Sequence, residues 1–184
     1  YVASMLSAFD SKTAREKIGG IPSARVGGVA YHAYRRDKHV HETEYDPARG
    51  PVIAALDFNV DPLCAVLLQC ASGRDYVFDE VVLNGSNTWE MAKALRRKVK
   101  ALGLKPQDVV VDSDPAGKSR HTSSPKSDHE ILRQAGFRVR IVDAAPRVTD
   151  RLNVTNGMLA HGRIQISPRC VIFTRDLAKV RTRQ

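Results

Sequence analysis

The order of the apolar runs limits what this chain can fold into more tightly than anything else in it. Three runs of strand length follow one another with short turns between them: Val52–Phe58, Leu63–Ala71 and Tyr76–Leu83. The residues Ser72-Gly73-Arg74-Asp75 are too few for a crossover, so the second and third runs pair antiparallel. The period then changes. Met91, Ala92, Leu95, Val99 and Leu102 recur at helical spacing within Thr88–Leu102, with Asn87 or Thr88 as the N-cap and Gly103 as the stop. Arg96, Arg97, Lys98 and Lys100 near its end suit the helix dipole. Trp89, the single tryptophan, is expected to pack this helix onto the sheet.

Strands and helices alternate from there. Asp108–Asp112 reads as a strand and Ser127–Ala135 as a helix closed by Gly136. Phe137–Val142 alternates like a strand, with Arg138 and Arg140 on one side. Thr149–Ala160 reads as a helix, Ile164–Ile166 as an extended piece and Val171–Arg181 as a last helix. A three-strand antiparallel meander followed by alternating helices and parallel strands resembles the RNase H-like plan, an α/β fold with a mixed sheet and helices on both faces. A dinucleotide-binding domain would instead open on strand–helix alternation with a glycine-rich first turn. The phosphate loop GxxxxGK[ST] is absent too, which excludes ATP hydrolysis by that device.

Residues 1–50 differ from the rest and are read as an arm, with residues 51–184 as the main domain. Tyr1–Ile18 has the pattern of a short amphipathic helix, Gly19 to Gly28 reads as a linker and Val29–Tyr34 as a strand. The charged run Arg35–Glu44 is expected to be exposed, and the nearby histidines His32, His39 and His41 read as surface residues. There is no long apolar run and no signal-peptide pattern at Tyr1–Met5. Cys64, Cys70 and Cys170 lack CxxC spacing; Cys64 and Cys70, inside an apolar run, read as buried reduced thiols. Lys and Arg outnumber Asp and Glu by 29 to 20, a net charge of +9. Such a balance favours a polyanionic partner, because neutralising phosphates releases condensed counterions.

Two acids stand out against this background. Asp57 ends an otherwise apolar strand, and Asp112 follows Val109-Val110-Val111 directly. A carboxylate in such a place is costly unless solvated, paired or bound to a cation. If the two strands are adjacent and parallel, the pair lies close enough to share a hard divalent metal, Mg²⁺ or Mn²⁺. Paired metals activate water and stabilise the leaving oxygen in phosphodiester cleavage. The alternative is that Asp112 or Asp114 caps the loop after it. Of Asp79 and Glu80, one faces the acid side, and Glu80 is a candidate accessory ligand. Lys118, Arg120 and Lys126 in the loop after Asp112, with Arg147 and Arg151 at a helix start, are candidate contacts for a DNA backbone. Asp128 and His129, adjacent on a helix, point different ways and make a poor dyad.

Several segments in order resemble the C-terminal nuclease domain of phage terminase large subunits. Ala55–Pro62 resembles that family's opening acidic strand, Val77–Leu83 its third strand and Val109–Gly117 its second acidic strand. Lys17–Gly20 with Gly28–Tyr34 resembles the stretch joining the packaging ATPase to the nuclease, and Asp150–Leu159, Gly162–Ile164 and Pro168–Cys170 are similar to later family segments. The resemblance implies a two-metal endonuclease that cuts concatemeric double-stranded DNA, with Asp57 and Asp112 as catalytic metal ligands and Asp114 and Glu80 as weaker ones. It also implies an ATPase domain, a small terminase subunit and a portal as partners, action in the host cytoplasm and a monomeric isolated domain. The family supplies a third acid from a helix near the domain's end, after a histidine. No such pair follows Asp176, so either the domain is truncated at its C-terminus or Asp176, Asp150 or Asp114 substitutes. Two other readings stay open: a resolvase-type RNase H-like nuclease, and a DNA-binding or assembly module without catalysis.

Overall fold

A computed structural model describes residues 28–58, 61–113, 126–141 and 146–181. Its centre is a six-stranded sheet in the order β5-β4-β1-β2-β3-β6. The strands are β1 (Val52–Asp57), β2 (Leu63–Ala71), β3 (Arg74–Leu83), β4 (Val109–Ser113), β5 (Arg138–Ile141) and β6 (Ile164–Ile166). The meander β1-β2-β3 is antiparallel, whereas β4 joins β1, β5 joins β4 and β6 joins β3 in parallel. This is the mixed sheet expected from the apolar runs. The β2–β3 turn is tighter than the four residues suggested. Ala71 pairs with Arg74, so Ser72 and Gly73 alone make it, with φ of 50° and 71°. Two positive φ values match the twist of a two-residue hairpin, and glycine takes the second without penalty.

The helices are α1 (Arg36–His39), α2 (Thr88–Ala101), α3 (Asp128–Gln134), α4 (Val148–Ala160) and α5 (Val171–Lys179). Asn87 caps α2 by accepting the Glu90 amide, and Ser127 with Glu130 forms a capping box on α3. Alternation along the strands divides the sheet cleanly. Val52, Ala54 and Leu56 of β1, Leu63, Ala65 and Leu67 of β2 and Val109 and Val111 of β4 join Met91, Leu95 and Val99 of α2 and Leu132 of α3 in the main core. Burying each of the large side chains among them contributes about 1.5–3 kcal/mol, so this face holds most of the fold's stability. The opposite face is covered by α5, through a smaller cluster of Val77, Ile166, Cys170 and Leu177 with Phe173 against it.

Four sequence expectations need correction. Trp89 is 49% exposed, because the α2 positions that meet the sheet are Met91, Leu95 and Val99, on another face of the helix. Cys70 is exposed and Cys64 half-buried, since both alternate onto the face away from the main core; Cys170 is the buried thiol. Val29–Tyr34 is no strand: Val29 makes one bridge to Arg181 and a turn follows. In the charged run after it, His39 is buried, with Nε2 2.9 Å from the Leu159 carbonyl oxygen. This end of the arm packs on the domain: the Ala33 amide donates to Asn156 Oδ1, and the Asn156 amide donates to the Ala30 carbonyl. The predicted helix at Tyr1–Ile18 lies outside the described residues.

Candidate metal centre

The two acids are placed by strand register. On the parallel β1–β4 pair, Ala55 lies opposite Asp112 and Leu56 opposite Ser113. Asp57 is two residues beyond Ala55 and therefore shares its face, the one Asp112 also faces. Two residues of strand are about 6.6 Å and neighbouring strands about 4.8 Å apart, so the Cα atoms lie about 8 Å apart on the diagonal. Aspartate side chains from both strands reach a common cation across that span. β1 and β4 stay adjacent because their other faces, Val52, Ala54, Leu56, Val109 and Val111, are fully committed to the core.

α5 brings a third carboxylate to this face. Asp57, Cys64 and Val66 share a cavity of about 280 Å³ with Phe173, Asp176 and Leu177 of that helix. Asp176 is exposed enough to pair with its neighbour, Arg175 Nη2 lying 2.9 Å from its Oδ1. The Cys64 thiol, cross-strand from Asp57, is pushed above its ordinary pKa by desolvation and by the carboxylates of Asp57, Asp176 and Glu80, while Arg175 opposes this. The cavity is thus a region of negative potential.

Glu80 also points to this face, as the sequence anticipates for one of the Asp79–Glu80 pair. Its two oxygens accept the Ile172 and Phe173 amides at 2.9 and 2.8 Å. It therefore caps the first turn of α5, satisfying two amides that have no intrahelical acceptor. Asp79 faces the opposite side, where Lys98 Nζ of α2 lies 2.7 Å from both its oxygens.

The feature that sequence reasoning leaves unassigned is Arg140. It lies directly opposite Asp112 on β5, and its Nη2 donates to Asp112 Oδ2 at 2.6 Å. The bond and the charge of Asp112 raise the guanidinium's pKa further. The signal is in the alternation of β5, which puts Arg138 and Arg140 on one side, but nothing in the sequence fixes the register. His129 carries more than its sequence reading allows: it is buried, with Nε2 3.0 Å from Ser113 Oγ at the end of β4. Ser113 faces the core side, so this bond anchors α3 to the strand that carries Asp112.

Other candidates are dispersed. Arg147 and Arg151 are exposed at the start of α4. From Ile141 to Pro146 the chain can span at most about 17 Å, which keeps the α4 start near the C-terminal ends of the parallel strands, where the acids are. Lys126 is turned elsewhere: its Nζ donates to Gln134 Oε1 and lies 5.7 Å from the centre of the Trp89 ring. Asp150 is exposed in the first turn of α4. Asp114, Lys118 and Arg120 lie outside the described residues. Among the described residues no three His, Cys, Asp or Glu side chains converge as a ready ligand group. Two hard carboxylates on one strand end fit Mg²⁺ or Mn²⁺, which keep water and phosphate in their remaining positions.

A meander extended by parallel strands, with helices on both faces and two acids at the ends of β1 and β4, defines an RNase H-like α/β nuclease fold. More narrowly, it is the fold of the nuclease domains of phage large terminases. A full large terminase from a thermophilic bacteriophage superposes over 97% of this chain and 43% of its own, with a TM-score of 0.76 and 18% identity. The large terminase nuclease of thermophilic phage G20c with bound magnesium matches over 85% of this chain and 80% of its own, at a TM-score of 0.56 and 13% identity. The nuclease domain of g2p, the large terminase of bacteriophage SPP1, with bound Mn, matches over 79% and 80%, at a TM-score of 0.54 and 20% identity. The chain therefore spans less than half the length of the first of these terminases. No protein-family model and no curated protein matches its sequence. Among the described residues no helix is long and apolar enough to cross a membrane.

Proposed function

We propose that this chain is the metal-dependent endonuclease domain of a viral DNA-packaging terminase, cutting concatemeric double-stranded DNA. The observation that carries the proposal is the placing of Asp57 and Asp112 on one face, at the same ends of adjacent parallel strands. The metal-bound g2p and G20c domains of the same fold support it. In this reading Asp57 and Asp112 hold divalent cations, with Asp176 as the third carboxylate and Asp114 and Glu80 as weaker candidates. Two cations held there supply water activation and neutralise charge on the leaving oxygen. The protein's own part is positioning. Arg147 and Arg151 at the α4 start, with Lys118, Arg120 and Lys126, hold the DNA backbone, while Arg140 keeps Asp112 oriented and charged. The wider assignment follows the same resemblance: an ATPase domain preceding this one, a small subunit and a portal as partners, action in the host cytoplasm, and a monomeric isolated domain.

A second reading, a DNA-binding or assembly module without catalysis, draws on one observation. Arg140 already neutralises Asp112, which withholds the β4 carboxylate from a cation shared with Asp57. Plasmid cleavage in Mn²⁺, Mg²⁺ and EDTA separates the readings. Metal-dependent nicking lost in both Asp57→Ala and Asp112→Ala supports the nuclease. DNA retention with no nicking in any metal, by a chain that also fails to bind Mn²⁺, favours the binding module.

A further inference from the structure

The other side of the sheet carries a feature that the cleavage chemistry does not use. Lys93, Arg96, Arg97 and Lys100 lie at i, i+3, i+4 and i+7 of α2 and form one exposed stripe. Like charges at these spacings oppose helix formation. Among the described residues none of the four is in an ion pair; the α2 cation that is paired, Lys98, sits off the stripe on Asp79.

The stripe edges a groove. A cavity of about 650 Å³ lies between α2 and the segment Leu104–Pro106, with Lys105 on its far rim and Ala135 at the end of α3 closing it. Its floor is apolar, made by Leu104, Pro106, Ala92 and the face of Trp89. That volume is in the range of sites that enclose a compact apolar group. Trp and Arg on the edge of such a pocket are the residue types that dominate binding energy in protein interfaces. A DNA duplex would put phosphates on the rim cations and leave the floor unfilled.

We propose that this α2 groove docks an acidic amphipathic segment of a partner protein, with an apolar side chain on the floor and carboxylates on the stripe. Both halves of the site are then used, and the uncompensated charge of α2 acquires its complement. Because α2 lies across the sheet from Asp57 and Asp112, docking and the metal centre are physically separate.

Trp89 is the single tryptophan of the chain, so its fluorescence reports the groove directly. The probe is a synthetic helical peptide with two phenylalanines at i and i+4 flanked by glutamates, titrated in EDTA at physiological salt. Controls are the same peptide with serine for phenylalanine, and a duplex oligonucleotide. The expected result is a saturable shift of Trp89 emission with the phenylalanine peptide and none with the serine version. Arg96→Glu/Arg97→Glu should weaken binding at least about ten-fold and gain affinity for a lysine-flanked peptide. Lys93→Glu/Lys100→Glu, also on exposed positions, gives an independent variant should the first unfold by circular dichroism. Asp57→Ala should bind the peptide unchanged, so loss of the nuclease reading would leave this one standing. A shift produced by the duplex and not by the peptide, a response indifferent to phenylalanine or to charge reversal, or no response at millimolar peptide overturns the proposal.

Discussion

Arg140 on β5 and Asp112 on β4 are direct cross-strand partners, joined by bonds of 2.6 and 3.3 Å. The guanidinium occupies the carboxylate that a metal would need, so metal binding and this pair compete. The side chains are 58% and 30% exposed, which limits the pair to about 0.2–1 kcal/mol. Arg140→Gln should therefore tighten Mn²⁺ binding to the DNA-free domain, by up to roughly five-fold, in isothermal titration calorimetry. Unchanged or weaker binding would mean that Arg140 holds Asp112 in place for the cation instead of competing with it.

Glu80 distinguishes a cap from a ligand. Both oxygens are given to the α5 amides of Ile172 and Phe173, and α5 carries Asp176. Glu80→Ala should cost about 1–2 kcal/mol in chemical denaturation, whereas Glu80→Gln, with one oxygen left to accept, should lose less. A direct ligand would behave otherwise: Glu80→Gln would then lose as much Mn²⁺ affinity as Glu80→Ala while keeping the stability of the parent chain.

The sheet is legible in the sequence because each of its strands is written as an apolar run or an alternation, and Leu63–Ala71 is bounded to the residue. Asp57 and Asp112 can be read because a carboxylate in an apolar strand is anomalous without any knowledge of neighbours. What cannot be read depends on register and on side-chain direction. Arg140 meets Asp112 only because β5 pairs with β4 at that offset. Glu80 is a cap because α5 starts beside it, a tertiary fact with no local mark. Trp89 misleads through composition, since a large aromatic on an amphipathic helix is ordinarily inward, while the helical spacing of Met91, Leu95 and Val99 already assigns the inner face to others.

Cys70 tests the electrostatics of the β2–β3 end. Desolvation, a thiol bond to Asp75 and the charge of Asp75 together push its pKa to about 11. At pH 8 the thiol is almost wholly protonated, and its alkylation rate should rise about ten-fold per pH unit until it levels near 11. Asp75→Asn removes the negative charge and weakens the acceptor but leaves the desolvation, so the pKa falls part of the way to 9. Iodoacetamide labelling of Cys70 at pH 8, followed by peptide mapping, should quicken several-fold. An unchanged rate would assign the whole shift to desolvation.

Asn156 decides whether residues 28–34 hold to the domain. It is buried on α4, accepts the Ala33 amide at 3.0 Å and donates to the Ala30 carbonyl at 2.9 Å. The Ala30 amide in turn donates to the Val180 carbonyl after α5, so this short segment links the two helices. Asn156→Ala leaves a buried amide and carbonyl without partners, at a cost of about 2–3 kcal/mol. If that cost falls on the local contact, tryptic cleavage after Arg35 or Arg36 should accelerate by roughly thirty-fold or more, since local opening sets the rate. Asn156→Asp keeps the acceptor for Ala33 and loses the donors, so its cleavage rate should fall between the two. Cleavage at the parent rate in Asn156→Ala would show that the segment is held by Val29, Ala30 and His39 without the asparagine.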